Sequence, residues 1–383
     1  MSRQNFADIG KAALRLHKKA GGKFAVASKV PLRNVDDLKL VYTPGVGAVS
    51  SFLARHPAEL KNYTMKGNSV AVVSDGSAVL GLGNIGPAGA LPVMEGKCLL
   101  FKKFAGIDAV PIVLATQNAD EIVKTVKAVA PAFGGINLED ISAPRCFEIE
   151  ERLKKELTIP VMHDDQHGTA IIVLAGLINA LKVAGKNIKN ARIVISGAGA
   201  AGDATTKILA RAGARNILIC DRQGIIYRTR PDLEKHKAIL AALTNKKGEK
   251  GNLASALLRA DVFIGVSGPN LVSEDMARSM GHDAIIFALA NPIPEIMPDI
   301  AKRAGAKIIA TGRSDFPNQL NNSLVFPGVF RGALDNGVRS ITDSMKLKAA
   351  YAIALLVPRP TSAKIVPGMF DKRLVGIVAS VIR

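Results

Sequence analysis

Short apolar runs alternate along the chain with segments whose apolar residues recur every three or four positions, so strands are interleaved with amphipathic helices. Val70 to Val73, Ile107 to Leu114 and Ile159 to His163 read as strands, and Gly134 to Ile141 as a strand running into a loop. Ala119 to Ala130 and Cys146 to Leu157 read as helices, the second heavily charged. The basic N-terminus, up to about Lys23, reads as an amphipathic helix with Phe6, Ile9 and Leu14 inward. A turn at Val41 to Gly45 leads to a helical pattern over Ala48 to Arg55. After Gly168 an apolar helix runs to about Ala184, and the basic connector Lys186 to Asn190 precedes a separate βαβ series. The alternation predicts an α/β protein of two domains: an N-terminal α/β domain over residues 1–165 and a Rossmann-type doubly wound domain over residues 166–383, ending in helices.

Composition agrees with two cores, since 383 residues exceed one ordinary domain and 48% hydrophobic content can fill both. No apolar stretch reaches the roughly 18–20 residues of a membrane helix; the nearest, Ala170 to Leu181, reads as a buried helix. Cys98, Cys146 and Cys220 form neither a CxxC pair nor an even framework, which points to packed free thiols in a reducing, cytoplasmic setting. No secretory signal is read. Asp8 and the scarcity of serine argue against a mitochondrial presequence. The formal charge of +19 is spread along the whole chain, and four Tyr with no Trp leave little for base stacking. No nucleic-acid partner is therefore expected. A basic surface would instead draw in anionic substrates and dinucleotides.

Candidate chemistry begins at the second βαβ series. Ala191 to Ser196 is β-rich and leads into Gly197-Ala198-Gly199-Ala200-Ala201-Gly202, a GxGxxG motif, and then a helix to Ala212. A second strand, Asn216 to Cys220, ends in Asp221, at the spacing a ribose-binding carboxylate needs. Gly197 permits the tight turn, Gly199 lets backbone approach a pyrophosphate, and Gly202 lets helix and strand pack closely. Ala200 and Ala201 open the helix whose N-terminus faces the phosphates. Asp221 favours NAD, because its carboxylate repels a 2′-phosphate; Arg222 beside it keeps NADP open. A second match, Gly81 to Gly86, lacks the terminal acid, and Pro87-Ala88-Gly89 opens a helix poorly, so it reads as a structural or substrate-side loop.

Two acidic clusters follow strands: Glu139 and Asp140, then Asp164 and Asp165 within His163 to Thr169. Hard oxygen donors at strand ends suit Mg²⁺ or Mn²⁺, whereas solvated loop acids or helix caps are the bland alternative. His163-Asp164-Asp165-Gln166-His167 also resembles the HExxH zinc motif, but a strand ending at His163 and a helix starting near Asp165 would make the imidazoles diverge.

Tyr42-Thr43-Pro44-Gly45-Val46, Gly81 to Asn84, Pro92 to Lys97, Asn137 to Asp140, His163 to Thr169, Ala290-Asn291-Pro292, and Asn321-Asn322 before Phe326-Pro327-Gly328 occur in one order over most of the chain. In that set the chain resembles the malic enzyme family in its short microbial form. The resemblance implies an N-terminal substrate and metal domain, and Glu139, Asp140 and Asp165 as metal ligands. It implies Lys97 as general base and Tyr42 as general acid. Asn291 and Asn322 would contact substrate carboxylates, Asn291 also bordering the cofactor. The implied reaction is oxidative decarboxylation of (S)-malate to pyruvate with reduction of NAD(P), in a homodimer. Malolactic or oxaloacetate-decarboxylating chemistry is the nearest alternative, and a non-catalytic nucleotide- or nucleic-acid-binding protein the more distant one. Lys97, desolvated near the metal, would have its pKa lowered. The chain departs from the pattern at Ala78, where longer relatives carry Arg in the Asp-Gly-Ser segment, at Asn84 for Asp, and at His163 for Asn. Ala78 implies that a basic residue from elsewhere, or from a partner subunit, completes substrate binding. The resemblance is to the short form, for which the phosphotransacetylase-like extension of some bacterial relatives is not expected.

Overall fold

A computed structural model describes residues 3–231 and 233–383, with side chains from residue 8 onward. Four helices come first: α1 (Arg3–Ala20), α2 (Val35–Val41), α3 (Gly45–Arg55) and α4 (Leu60–Tyr63). The first α/β unit follows as β1 (Ser69–Ser74), α5 (Gly86–Ala105), β2 (Asp108–Val113), α6 (Ala119–Val129), β3 (Gly135–Leu138), α7 (Arg145–Glu156) and β4 (Val161–His163). The long α8 (Asp164–Ala184) leads to β5 (Arg192–Ser196), α9 (Ala200–Arg211), β6 (Asn216–Asp221), β7 (Gly224–Ile225), α10 (Lys235–Leu243) and α11 (Leu253–Leu257). The chain continues through β8 (Val262–Gly265), α12 (Glu274–Arg278), β9 (Ile285–Ala288), α13 (Pro298–Arg303) and β10 (Ile308–Thr311), and closes with α14 (Phe326–Asp335), α15 (Asp343–Leu355) and α16 (Leu374–Ser380).

The first sheet has the order β2-β1-β3-β4, all parallel. The second has the order β10-β9-β8-β5-β6-β7, parallel except where β7 turns back on β6. Val/Ile runs suit such strands because helices cover both faces. In each sheet the connections leave one strand in opposite directions, at β1 toward β2 and β3, and at β5 toward β6 and β8. The crevice outside the carboxyl ends at such a reversal is where open α/β sheets bind ligands. Both sets of functional residues lie there.

One apolar core joins the two sheets. Phe101 on α5 packs tilted against Phe326 and edge-on against Phe330 on α14, with ring centroids 4.6 and 5.5 Å apart. Each such ring contributes roughly 1.5–3 kcal/mol by burial. Helix α8 runs through this core for 21 residues, well beyond the Ala170-to-Leu181 stretch read as apolar, because its first turn begins at Asp164, next to the helix start read near Asp165. Among the described residues it alone has the length and apolarity of a membrane span, and 72% of its apolar window is buried inside the protein. The three cysteines are free and buried.

Two local expectations fail. Pro87 sits at the first turn of α5, where a missing N–H costs nothing, so Gly86-Pro87 does open a helix. Helix α1 forms, but Ile9 and Leu14 are 51% and 74% exposed rather than inward, while the Phe6 side chain lies outside those described. The same holds beyond α1: no residue from 8 to 68 is buried, and Val26, Leu32, Leu40 and Tyr42 stand in solvent.

Candidate active site and metal centre

Glu139 and Asp140 extend from the end of β3, and Glu139 N–H donates to the Val73 carbonyl of β1 at 2.8 Å. Asp140 takes a left-handed backbone (φ 54°), which turns its side chain toward the start of α8, where Asp165 Oδ2 accepts from the Asp140 N–H at 2.8 Å. One carboxylate oxygen from each of Glu139, Asp140 and Asp165 lies within 4.8 Å of the others. No other set of three His, Cys, Asp or Glu groups converges this way among the described residues. The cap alternative fails, since the α8 N-cap is His163 and makes no side-chain cap bond. His163 is fully buried at the end of β4, whereas His167 faces Glu150 Oε2 at 2.9 Å, so the imidazoles diverge.

Electrostatically the trio is unfinished. Burial, then Asp165, pushes Asp140 up to about 8, and the same causes hold Glu139 well above the ordinary carboxylate range. Asp140 Oδ2 is buried without a hydrogen-bond partner. Like charges this close await either protons or a cation. With an all-oxygen donor set, the residues fit a hard divalent ion.

Lys97, on α5, is buried between Glu139 Oε1 and Asp164 Oδ2, each 2.5 Å from Nζ. Burial alone would lower its pKa, but Asp164, Glu139 and Asp165 outweigh it, so the pKa is raised and not lowered as the sequence suggested. Asp164 was read only as one of two adjacent acids and was given no role beside Lys97. It is fully buried, and Gly168 is required one turn on, since a Cβ there would stand 1.9 Å from Asp164 Oδ1. The available signal was an acid directly preceding a candidate ligand at a strand-to-helix junction.

Lys97, Glu139, Asp140 and Asp165 line a cavity of about 840 Å³ with Asn291, Asn322, Lys23, Gly81 and the start of α9 at Gly199, Ala200 and Ala201. The glycine-rich loop Gly81 to Gly86 thus lies on the substrate side, and a Cβ on Gly81 would stand 1.9 Å from the Asn291 carbonyl. Lys23 was also missed. Its Nζ donates to the Pro92 carbonyl at 2.7 Å, and it is the cavity's cation besides Lys97. A neighbouring cavity of about 1010 Å³ holds Gly197, Gly199, Asp221 and Arg222. The two share Ala143, Gly199, Val266 and Ser267, and so form one trough from β6 to the carboxylates. Gly197 has φ +112°, and a Cβ on Gly202 would stand 1.8 Å from the Gly197 carbonyl, while nothing crowds Gly199. Tyr42 is absent from the trough and is 65% exposed.

Comparison with known proteins follows the same division. Residues 21–154 match the "Malic enzyme, N-terminal domain" family, and residues 166–378 the "Malic enzyme, NAD binding domain" family. The bifunctional malic/malolactic enzyme of Bacillus subtilis is 54% identical over 97% of this chain and 91% of its own length. The NADP-dependent malic enzyme of Escherichia coli is 46% identical, over 96% of this chain and 48% of that longer protein. The crystal structure of the NAD-dependent malic enzyme of Thermotoga maritima superposes with a TM-score of 0.93 at 47% identity, covering 97% of this chain and 98% of that one. With the trough, the carboxylate trio and both halves matched, the chain belongs to the malic enzyme family.

Proposed function

We propose that the chain catalyses the divalent-metal-dependent oxidative decarboxylation of (S)-malate to pyruvate and carbon dioxide, with reduction of NAD(P). The observation that carries this reading is the meeting of the carboxylate trio, Lys97 and the dinucleotide loop in one cavity. Glu139, Asp140 and Asp165 would hold Mg²⁺ or Mn²⁺. Gly197, Gly199, Ala200, Ala201 and Gly202 would cradle the dinucleotide, with Asp221 at its ribose end and Asn291 beside the nicotinamide. When bound, the cation supplies Lewis-acid polarisation and the dinucleotide accepts hydride.

The chain's own residues do the rest. Lys97 exchanges a proton with the C2 hydroxyl of malate, and Asp164 keeps its amine aimed there. As a base Lys97 must lose part of its carboxylate stabilisation: Glu139 and Asp165 would give up their share if they hold the cation, while Asp164 stays in place. Asn291 and Asn322 offer amide donors to the substrate carboxylates, and Lys23 supplies the positive charge that Ala78 lacks. Asn137, donating to Glu139 Oε2 at 3.0 Å, sets that carboxylate's orientation.

Tyr42 would protonate C3, yet it faces solvent in its own chain. We infer a homodimer in which the α1–α4 segment packs on the second copy and brings Tyr42 to that copy's trough. The exposed apolar side chains of a segment with no buried residue support this.

The test is malate with NAD or NADP, with and without Mn²⁺. Equal amounts of pyruvate and reduced cofactor, only with metal, are expected. Lactate without net reduced cofactor would sink this reading in favour of malolactic chemistry, which the name of the Bacillus subtilis relative keeps in view.

A further inference from the structure

Asp221 ends β6 and borders the trough, where a free carboxylate would accept the adenosine ribose hydroxyls. It is not free. Oδ1 accepts from Arg230 Nη1 at 2.9 Å and from the Gln223 backbone N–H at 3.0 Å. Oδ2 accepts from Arg230 Nη2 at 2.5 Å and lies 3.2 Å from Lys237 Nζ. A carboxylate offers about four lone-pair sites, and four donors occupy them.

The Arg230 fork is sheltered, since the two side chains are only 7% and 10% exposed. A bidentate, charge-assisted pair in that setting is strong and poorly screened. The trough's lining there sets Arg222 and Lys237 against Asp221 and Glu234, the last 3.9 Å from Lys237, and Arg230, bound behind Asp221, adds a third cation. Three cations against two carboxylates leave this end of the trough positive. A phosphate on the 2′-position brings a charge of about −1.5 to −2.

Resting on the reading that the trough binds a nicotinamide dinucleotide, we propose that Arg230 sets the cofactor choice. By saturating Asp221 it removes the acceptor for a 2′-hydroxyl and the repulsion of a 2′-phosphate, which Arg222 and Lys237 then hold, so the 2′-phosphorylated dinucleotide is preferred. This reverses what Asp221 suggests when read without its partners.

Two measurements on the full chain test it: the ratio of kcat/KM for NADP over NAD, and calorimetric binding of adenosine 2′,5′-bisphosphate against AMP, which needs no turnover. Both should favour the 2′-phosphate by about tenfold or more, the scale of one charged hydrogen bond. Arg230→Met frees Asp221 and should cut both ratios by about tenfold. Arg222→Ser, at an exposed position, should cut them as well and serves if the first variant does not fold. Arg228→Gln, whose guanidinium donates to the Ala242 carbonyl instead, should leave them unchanged. A wild-type preference for NAD and AMP, or ratios unmoved in both Arg230→Met and Arg222→Ser, overturns the proposal. No turnover with either dinucleotide, beside a tenfold preference for the bisphosphate, would sink the proposed reaction and leave this inference standing.

Discussion

Asp164 and Asp165 follow one another after β4, yet the first points at Lys97 and the second at Asp140. The sequence showed two acids and a strand-to-helix junction, but the starting residue of α8 decides which acid faces which partner, and a one-residue shift rotates a helical side chain by about 100°. Asp221 presents the same difficulty: its spacing after Gly202 was legible, but its saturation comes from Arg230, on a loop nine positions later that no periodicity describes. At this scale the trio itself makes an expectation. Asp140 is pushed up to about 8 and Glu139 also upward, by burial and then Asp165, whereas in the unfolded chain both titrate near pH 4. The metal-free fold therefore binds more protons than the unfolded chain between those values, and its stability falls as pH rises through that window. Scanning calorimetry in chelator should show Tm dropping from about pH 5 to 8, with Mn²⁺ raising Tm more at pH 8 than at pH 5. Asp140→Asn should abolish the Mn²⁺-dependent rise; an equal metal shift at both pH values would contradict the trio's role.

Among elements, the strands from β1 to β6 and helices α6, α7 and α9 were read nearly where they lie, because parallel strands need continuous Val/Ile runs and covered helices need apolar stripes, whereas β8, β9, β10 and the closing helices were not placed individually. The misjudged start was that of α5, set by a proline at the first turn, which breaks an apolar pattern without breaking a helix; the start of α8 near Asp165 was legible, although its apolar pattern begins only after Gly168. Helix α9 carries the sharpest element-level expectation. Its close seat against β5 depends on Gly202, whose Cβ would stand 1.8 Å from the Gly197 carbonyl, so Gly202→Val must push the helix outward. Strain of that kind costs about 1–3 kcal/mol, lowering Tm, and should weaken reduced-cofactor binding by at least about tenfold in a fluorescence titration. Gly199→Ala meets nothing within 4 Å in the protein and should keep the wild-type Tm while still weakening the cofactor, since that position borders the trough. Loss of stability in both variants, or in neither, would show that the glycines are not divided between packing and ligand approach.

At the level of the whole molecule, two reversals of strand order bring the carboxyl ends of both sheets to one trough, and the GxGxxG motif with its terminal acid made half of that arrangement legible. The destination of the α1–α4 segment was not legible, because an amphipathic pattern says that a face is covered and not by which chain. If Tyr42 serves the second copy, Tyr42→Phe and Lys97→Ala chains, each inactive alone, should complement when co-expressed. Each heterodimer then has one intact trough, and random pairing gives about a quarter of wild-type kcat. No recovery, with mixed dimers verified by differential tags, would place both residues in one chain's site. If that segment packs on a second copy, its bare apolar side chains also set the molecularity of its assembly. A stretch shielded only by another chain becomes ordered in a second-order step, so dilution exposes it before either sheet loosens. Proteolytic nicking between residues 20 and 65 would then report encounter between chains, and the cell's concentration of this protein would govern how many complete troughs exist.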